Sequence, residues 1–442
     1  MKLDFDICKG GRLNRRKIIG MRYNGMDIYS LIGVYNAYTI EVTEEGEKTV
    51  YFDISSDYYH SDIDTYFNMG NGTISNNNIS SYTYTEPGTY LIITSARISR
   101  AGSGSPRVIA VNGIRRDTIS LDNAFNHYIY VREFAPQNLK TRRVTSMKNM
   151  FRDCWHNPNE VLQYTEEAFG AENRTSVHYI LIDSNKFDTS KVTNMSGMFS
   201  APELPSGYRC TFAPSSIFNT SNVTNMSGMF YKYNCDYNID FSAWDTSSAT
   251  DMSEMFYGSE YVYILDISNF NTENVTTFRD MFRDSSLYCK YLYYDENNKR
   301  IDIPLDFSKW NTSSATDMSG MFCNCARLTS LDLSDWDISN VIDMSNMFYD
   351  SYKLGSLDLS WWNINNAANI DNMLGFCNGL YELRLDNCGY DTISKIINEA
   401  NIPTDTVKVN GEYVTRKLHC QRANAQGLES SLPYGWEFSY ID

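Results

Sequence analysis

The sequence predicts an α/β solenoid of leucine-rich-repeat type that follows an all-β domain. One pattern recurs in the second half: an aromatic residue, Asp/Asn-Thr-Ser, then Val/Ala-Thr-Asp/Asn-Met-Ser-x-Met-Phe. Successive copies lie 48, 31, 26, 26, 40, 26 and 26 residues apart, so the base period is 26. Such a period is typical of stacked repeats, which usually bind rather than catalyse. The copies close at Phe151, Phe199, Phe230, Phe256, Phe282, Phe322, Phe348 and, in degenerate form, Leu374.

The first hundred residues lack this repeat and are typical of a β-sandwich. Short runs rich in β-branched and aromatic residues alternate with turn residues. The predicted strands cover 28–32, 37–42, 48–53, 90–94 and 107–111. We therefore expect a β-sandwich over residues 18–117, preceded by an N-terminal arm over 1–17.

Each repeat of the solenoid, expected over 118–385, is predicted to hold a short strand, a turn and a short helix. In the copy that ends at Phe348, Leu331 and Leu333 are two residues apart, which is the period of a strand. Val341, Met344 and Met347 then recur every third residue, as on one face of a helix. No single unit can bury both faces, so neighbouring repeats must stack and share a core made of the Met/Phe stripe.

The remaining residues, 386–442, are predicted to cap the last repeat. A helix is expected over 393–400, and two strands are expected around Val407 and Tyr413. Terminal units of repeat proteins need such a cap because their outer face would otherwise expose the core.

The repeat resembles the leucine-rich-repeat variant of BspA-like bacterial surface proteins, in units such as Trp310-Asn-Thr-Ser-Ser-Ala-Thr-Asp-Met-Ser-Gly-Met-Phe322. This resemblance covers about 138–385 and implies a solenoid with a parallel sheet and a role in adhesion or recognition. Within the all-β domain, residues 68–72 and 83–90 look like the two signatures of polycystic-kidney-disease (PKD) type domains. Asn68 and Asn71 stand where that family usually has Asp, so no calcium role is carried over.

Composition and charge exclude several classes of protein. A net charge of −16 argues against nucleic acid or an anionic membrane as partner. No run of 18 apolar residues is present, so no membrane insertion is expected, and residues 1–17 do not look like a signal peptide. The five histidines are scattered, which predicts neither a metal site, nor a cofactor, nor a catalytic centre. Three cysteines share one register with serines, so we expect core thiols there: Cys154, Cys325 and Cys377.

Three insertions fall at one register, between a repeat's closing residue and the next strand. They cover about 152–179, 200–212 and 283–301 and should project from one edge of the solenoid. The same register is rich in tyrosine, which suits protein and sugar recognition, although tyrosine is abundant throughout the chain. The candidate binding residues are Tyr231, Tyr233, Tyr237, Tyr257, Tyr261, Tyr263, Tyr288, Tyr291, Tyr293 and Tyr294.

The sequence thus predicts a non-enzymatic recognition or structural protein displayed on a virion, such as a bacteriophage fibre, tail or head accessory component. Its expected partners are other virion proteins, through the N-terminal arm, and a host surface protein or glycan; a homo-oligomer is left open. One alternative is a bacterial cell-surface adhesin of the BspA-like kind. A less favoured alternative is a glycan depolymerase with carboxylates on the tyrosine-rich edge.

Overall fold

The computed structural model describes about two thirds of the chain. The described residues are 22–23, 26–27, 36–42, 48–53, 67–69, 74–75, 79, 81–94, 97–100, 107–113, 120–122, 124, 133–134, 141–153, 155–156, 188–202, 209–210, 218–233, 241–259, 266–285, 290–294, 300–303, 307–364, 368–404 and 406–441. The predicted arm at 1–17 and the predicted strand at 28–32 lie outside them. The chain divides into two compact units: Met1–Thr193 with Ala201–Asn219, and Asn194–Ser200 with Thr220–Asp442.

The first unit contains thirteen described strands. A six-stranded sheet has the order β11-β10-β3-β8-β5-β6, and a three-stranded sheet has the order β7-β4-β9. The strands are β1 (Arg22–Tyr23), β2 (Met26–Asp27), β3 (Asn36–Val42), β4 (Thr49–Asp53), β5 (Phe67–Asn68), β6 (Ile74–Ser75), β7 (Ser81–Thr83), β8 (Gly88–Thr94), β9 (Arg97–Arg100), β10 (Arg107–Gly113), β11 (Glu133–Phe134), β12 (Trp155–His156) and β13 (Arg209–Cys210).

The strands predicted over 37–42, 48–53, 90–94 and 107–111 are present as β3, β4, β8 and β10. Tyr38 and Ile40, which lie two residues apart on β3, are both fully buried, as expected for side chains on the same face of a strand. Tyr84, in the segment that resembles the PKD hairpin, is 1% exposed, and its hydroxyl donates to the backbone carbonyl of Met69 at 3.0 Å. We propose that these two sheets pack face to face as a sandwich.

The second unit contains most of the repeats. Its elements are β14 (Lys290–Tyr294), β15 (Arg300–Ile303), β16 (Ser330–Asp332), β17 (Ser356–Asp358), β18 (Glu382–Arg384), α1 (Tyr390–Glu399), β19 (Val407–Val409), β20 (Glu412–Val414), β21 (Arg416–Cys420), α2 (Arg422–Ala425) and β22 (Trp436–Tyr440). Neither described helix has the length and apolar run that crossing a bilayer requires.

Consecutive repeats of this unit pair in parallel at one fixed register. The fifth residue before each closing residue forms a parallel bridge with its equivalent in the next copy. Backbone bonds join the copies elsewhere too: the N–H of Phe322 donates to the carbonyl of Met347 at 2.8 Å. Backbone hydrogen bonds thus join consecutive repeats in chain order, and we propose that the repeats form the expected solenoid. The bridged residues are Asn194, Asn225, Asp251, Thr277, Asp317, Asp343 and Asn369.

The closing phenylalanines form a continuous ring stack within the core. Their centroids lie 5.5–5.8 Å apart from Phe199 to Phe348, and adjacent ring planes differ by no more than 13°. Met344 and Met347, which precede Phe348, are fully buried. The stripe predicted to be core is therefore buried in these copies.

The segment predicted as a short helix is instead a series of turns. The N–H of Met347 donates to the carbonyl of Met344, three residues back, at 3.2 Å. Asn346 and Asp350 have φ of 57° and 58°, and a right-handed helix cannot continue through such residues. Residues three apart lie on the same side of a turn and of a helix. The spacing of the methionines alone therefore could not distinguish these two structures. Positive φ recurs at the same two registers in other copies, at Asn149, Asp153, Gly197, Gly228, Lys232, Glu254, Gly258, Asp280, Asp284, Gly320, Asn324, Asn372 and Phe376.

In several copies a buried threonine joins one repeat to the next. Thr246 is 1% exposed; its hydroxyl donates to the carbonyl of Asn271 at 2.9 Å and accepts from the N–H of Asn271 at 2.8 Å. Thr220 makes the same pair of bonds with Asp245, both at 2.9 Å. One hydroxyl thus satisfies both the N–H and the carbonyl of a residue in the next repeat.

The last repeats carry a parallel sheet of order β16-β17-β18-β21-β22. Leu331, Leu357, Leu383 and Leu418 align across four of its strands and are buried. The helix predicted over 393–400 is present as α1, and the strands predicted near Val407 and Tyr413 are β19 and β20. The C-terminal segment continues this sheet, because β21 pairs with β18.

Candidate recognition surface

One surface row of the second unit combines aromatic and charged side chains. It consists of the residue that follows the closing residue of each copy from Phe230 to Leu374, and we call it the post-phenylalanine row. Because the closing rings stack, the residues one position later also recur from copy to copy on the same side. Tyr231, Tyr257, Arg283 and Tyr349 are each partly exposed, whereas Cys323 is buried. The row comprises Tyr231, Tyr257, Arg283, Cys323, Tyr349 and Gly375.

Tyr231 and Tyr257 form the aromatic part of this row. Their ring centroids lie 4.8 Å apart with an interplanar angle of 18°, so the rings are stacked. The ammonium of Lys232 lies 5.6 Å from the centre of the Tyr231 ring, within the range of a cation–π contact. The backbone N–H of Lys232 donates to the carbonyl of Tyr257 at 2.6 Å. These contacts hold the two stacked tyrosine rings in place at the surface.

Tyr257 leads into a polar cluster around Arg283. Burial and a hydrogen bond to Asp284 raise the pKa of Tyr257 to about 12, so its hydroxyl stays protonated. Arg283 Nη1 lies 3.1 Å from Asp280 Oδ1, and the amide of Asn324 donates to Asp284 Oδ1 at 2.9 Å. Both carboxylates thus have partners, and Arg283 forms an ion pair with each of them.

The far end of the row is aromatic again. Tyr349 meets Phe376 edge to face, with ring centroids 5.2 Å apart, and Phe376 is 55% exposed. Between these rings and Arg283 lies Cys323, whose burial raises the pKa of its thiol to about 11. A neutral, covered thiol of this kind is not a nucleophile at neutral pH.

The predicted tyrosines fall into four groups. Tyr231 and Tyr257 come together as described, whereas Tyr233 is only 1% exposed and meets Phe230 edge to face in the core. Tyr291, Tyr293 and Tyr294 belong to β14, which pairs antiparallel with β15, so the third insertion contains a hairpin. Outside the described residues lie Tyr237, Tyr261, Tyr263 and Tyr288.

The structure adds residues that the sequence reasoning missed. Arg283 and Tyr349 occupy the register of Tyr231, and Asp284 occupies that of Lys232. Aligning the copies at the closing residue and reading the next two columns would have found them. In the first unit, β12 and β13 also pair the first insertion with the second, Trp155 opposite Cys210.

The chemistry of the row is that of contact and hydrogen bonding. It offers stacked ring faces, one fixed guanidinium and carboxylates that already have partners. Among the described residues, no three His, Cys, Asp or Glu side chains come together in a way that could hold a metal ion. Such a surface suits the recognition of a folded or polymeric partner.

Comparison with known proteins identifies one family. No curated protein and no solved structure matches the chain. A family described as "Mycoplasma protein of unknown function, DUF285" matches residues 119–203, 208–299 and 289–396, more than half of the 442 residues and nearly all of the repeats. The chain therefore belongs to the DUF285 family.

Proposed function

We propose that this chain is a non-enzymatic recognition protein that binds a host-surface ligand through the post-phenylalanine row. The observation that carries the proposal is the stack of Tyr231 on Tyr257, held at the surface beside the fixed Arg283. Aromatic faces with an adjacent guanidinium are the groups that contribute most to binding at protein surfaces. Both tyrosines are already ordered, so a ligand would lose little additional side-chain entropy on binding.

The repeat architecture supports the same proposal. A row of equivalent positions on stacked copies gives an extended surface whose side chains can differ while the core stays constant. Here the buried Met and Phe positions barely vary, whereas the residue after the closing position is Arg, Ser, Tyr, Cys or Gly. That contrast is expected where the core preserves the stack and the surface residue sets the ligand.

Binding of fluorescently labelled chain to host cells tests this proposal. We expect the double substitution Tyr231→Ser with Tyr257→Ser to lower binding at least about tenfold, since two contact residues are removed. The matched control is Tyr352→Ser with Tyr413→Ser, because those side chains are 45% and 69% exposed but lie off the row. Equal binding by both double variants, with unchanged melting curves, would rule out this surface.

The proposed place of display is a virion, with residues 1–17 contacting neighbouring virion proteins; the alternative is a bacterial cell surface. The BspA-like resemblance supports display in either setting, since it concerns surface proteins. Mass spectrometry of purified particles and of the protease-shaved cell surface separates the two. Detection of the chain in particles supports the virion, and detection only among shaved peptides of intact cells overturns it.

A further inference from the structure

The outer edge of β22 has free backbone groups. Within the described part of the chain, β22 pairs only with β21 and is the last strand of its sheet. The carbonyl of Gly435 accepts from Arg416 at 3.0 Å, and the N–H of Ile441 donates to Cys420 at 3.2 Å. Since backbone groups of successive strand residues point to opposite edges, those of Phe438 and Tyr440 face away from β21.

This edge lacks the usual protection against further pairing. Exposed edge strands commonly carry lysine, proline or a bulge that prevents the addition of another strand. The five residues of β22, Trp-Glu-Phe-Ser-Tyr, include neither Lys nor Pro, and their register with β21 is unbroken. The single charge, on Glu437, is paired with Lys417 of the neighbouring strand. The edge is therefore competent to pair.

The side chains at this edge are apolar on one face. Phe438 stands opposite Leu418, which is fully buried, so both lie on the inner face of the sheet. The rings of Phe438 and Tyr440 are stacked, with centroids 5.7 Å apart, and each is only partly covered. An additional strand would cover these aromatic rings.

We infer that β22 pairs antiparallel with β22 of a second copy of this chain, around a twofold axis at Phe438. This arrangement sets Phe438 against its own counterpart and Trp436 against Tyr440, so aromatic side chains meet on the inner face. On the outer face, Glu437 lies opposite Ser439, and no like charges are opposed. The strand is thus self-complementary, and a contact of this type closes after two copies.

The available hydrogen bonds fit the same register. The N–H of Trp436 already donates to the carbonyl of Pro433 at 3.1 Å. No described residue pairs with the N–H and carbonyl of Phe438, the N–H of Tyr440 or the carbonyl of Trp436, so these groups remain for the second copy. Antiparallel pairing about Phe438 joins these groups, Phe438 with Phe438 and Tyr440 with Trp436.

Two substitutions at one position test the inference on the full chain. In the twofold pair, Ser439→Glu opposes two carboxylates at each of two sites, whereas Ser439→Lys creates an ion pair at each. Sedimentation velocity should show wild type moving from 50.8 kDa toward twice that mass as concentration rises. We expect the glutamate variant to dimerise about tenfold more weakly than wild type and the lysine variant more tightly, and the difference should shrink in high salt.

Several outcomes would overturn the inference. They are a wild-type chain that stays monomeric at all concentrations, a dimer that neither substitution changes, and a dimer that both weaken. Circular dichroism checks that each variant is folded, and the tighter association of Ser439→Lys does not depend on the glutamate variant folding. A partner peptide adding to this edge instead would leave the wild-type chain alone monomeric.

Discussion

The hydroxyl of Ser351 donates a hydrogen bond to the backbone carbonyl of Phe322, one repeat earlier, at 2.7 Å. Cys377 makes the equivalent contact in the next copy, with its sulfur 2.9 Å from the carbonyl of Phe348. Both side chains are fully buried. In the copies that close at Phe256, Phe282, Phe322, Phe348 and Leu374, this register holds a small side chain with a hydrogen that can be donated, which explains why both serine and cysteine occur there.

Replacing Cys377 by Ser should leave the free energy of unfolding nearly unchanged, within about 0.5 kcal/mol. Serine occupies this register in other copies and donates to the same kind of carbonyl. Cys377→Val, of similar size but without a donor, should cost about 1–3 kcal/mol because a buried carbonyl loses its partner. Urea unfolding curves compare the two; equal loss in both would show that the hydrogen bond contributes nothing.

The buried thiols should be protected from chemical modification while the chain is folded. Burial raises the pKa of Cys377 and of Cys388 to about 12, so neither forms thiolate near pH 8. In a variant whose other five cysteines are serine, we expect no reaction with a thiol reagent until urea is added. Rapid labelling of the native variant would contradict this. The five that remain are Cys323, Cys325, Cys377, Cys388 and Cys420.

Met344→Asp should destabilise the second unit strongly, by at least about 3 kcal/mol, because it places a carboxylate at a fully buried position. The control is Ser345→Asp, which adds the same group one residue later, where the side chain is partly exposed. Thermal melting of both variants measures the effect. Similar midpoints would mean that the methionine stripe is not core.

Thr246→Val should cost about 2 kcal/mol although it preserves shape, since the N–H and carbonyl of Asn271 both lose their partner. Thr250 provides the comparison, because its hydroxyl donates to the carbonyl of Thr224 in the preceding repeat at 3.2 Å. Unlike Thr246, Thr250 is exposed to water. Thr250→Val should therefore change the unfolding free energy by less than about 0.5 kcal/mol. A larger cost at Thr250 than at Thr246 would contradict the argument.

Acid should weaken the repeats through their turn carboxylates. Hydrogen bonds from the side chain and backbone of Ser247 lower the pKa of Asp245 below its ordinary 3.8, and those from Ser339 do so for Asp337. Because the folded pKa is the lower one, this stabilisation is present above about pH 4 and is lost as pH falls through the folded pKa. The double variant Asp245→Asn with Asp337→Asn keeps an oxygen acceptor at both positions but does not titrate there. Its free energy of unfolding should therefore fall less than that of wild type between about pH 4 and pH 2. A pH profile parallel to wild type would refute this role.

The period of the repeat and its buried positions could be predicted from sequence because they recur in every copy. The turn at Asn346 could not, since apolar spacing of three fits a turn and a helix equally. Its signal was present in the Gly, Asn and Asp residues at the left-handed positions. The pairing of Trp155 with Cys210 was also unpredictable, because short strands inside insertions carry no period.

The candidate surface was partly predictable. Tyrosine content indicated Tyr231 and Tyr257, but it also selected Tyr233, whose ring is buried and meets Phe230 edge to face in the core. Arg283 was missed because tyrosine content, and not the position after the closing phenylalanine, selected the candidates, and its ion pair with Asp280 depends on a turn geometry that sequence spacing does not reveal.

The fixed parallel bridge from Asp317 to Asp343 to Asn369 has an evolutionary consequence. Each of these copies bonds to its neighbours through the same backbone atoms, so a duplicated stretch of 26 codons would add a copy that finds both partners in register. Deletion of one copy would rejoin its neighbours in the same way. Unequal recombination could therefore lengthen or shorten such an array and bring new surface residues beside old ones without redesigning the interior.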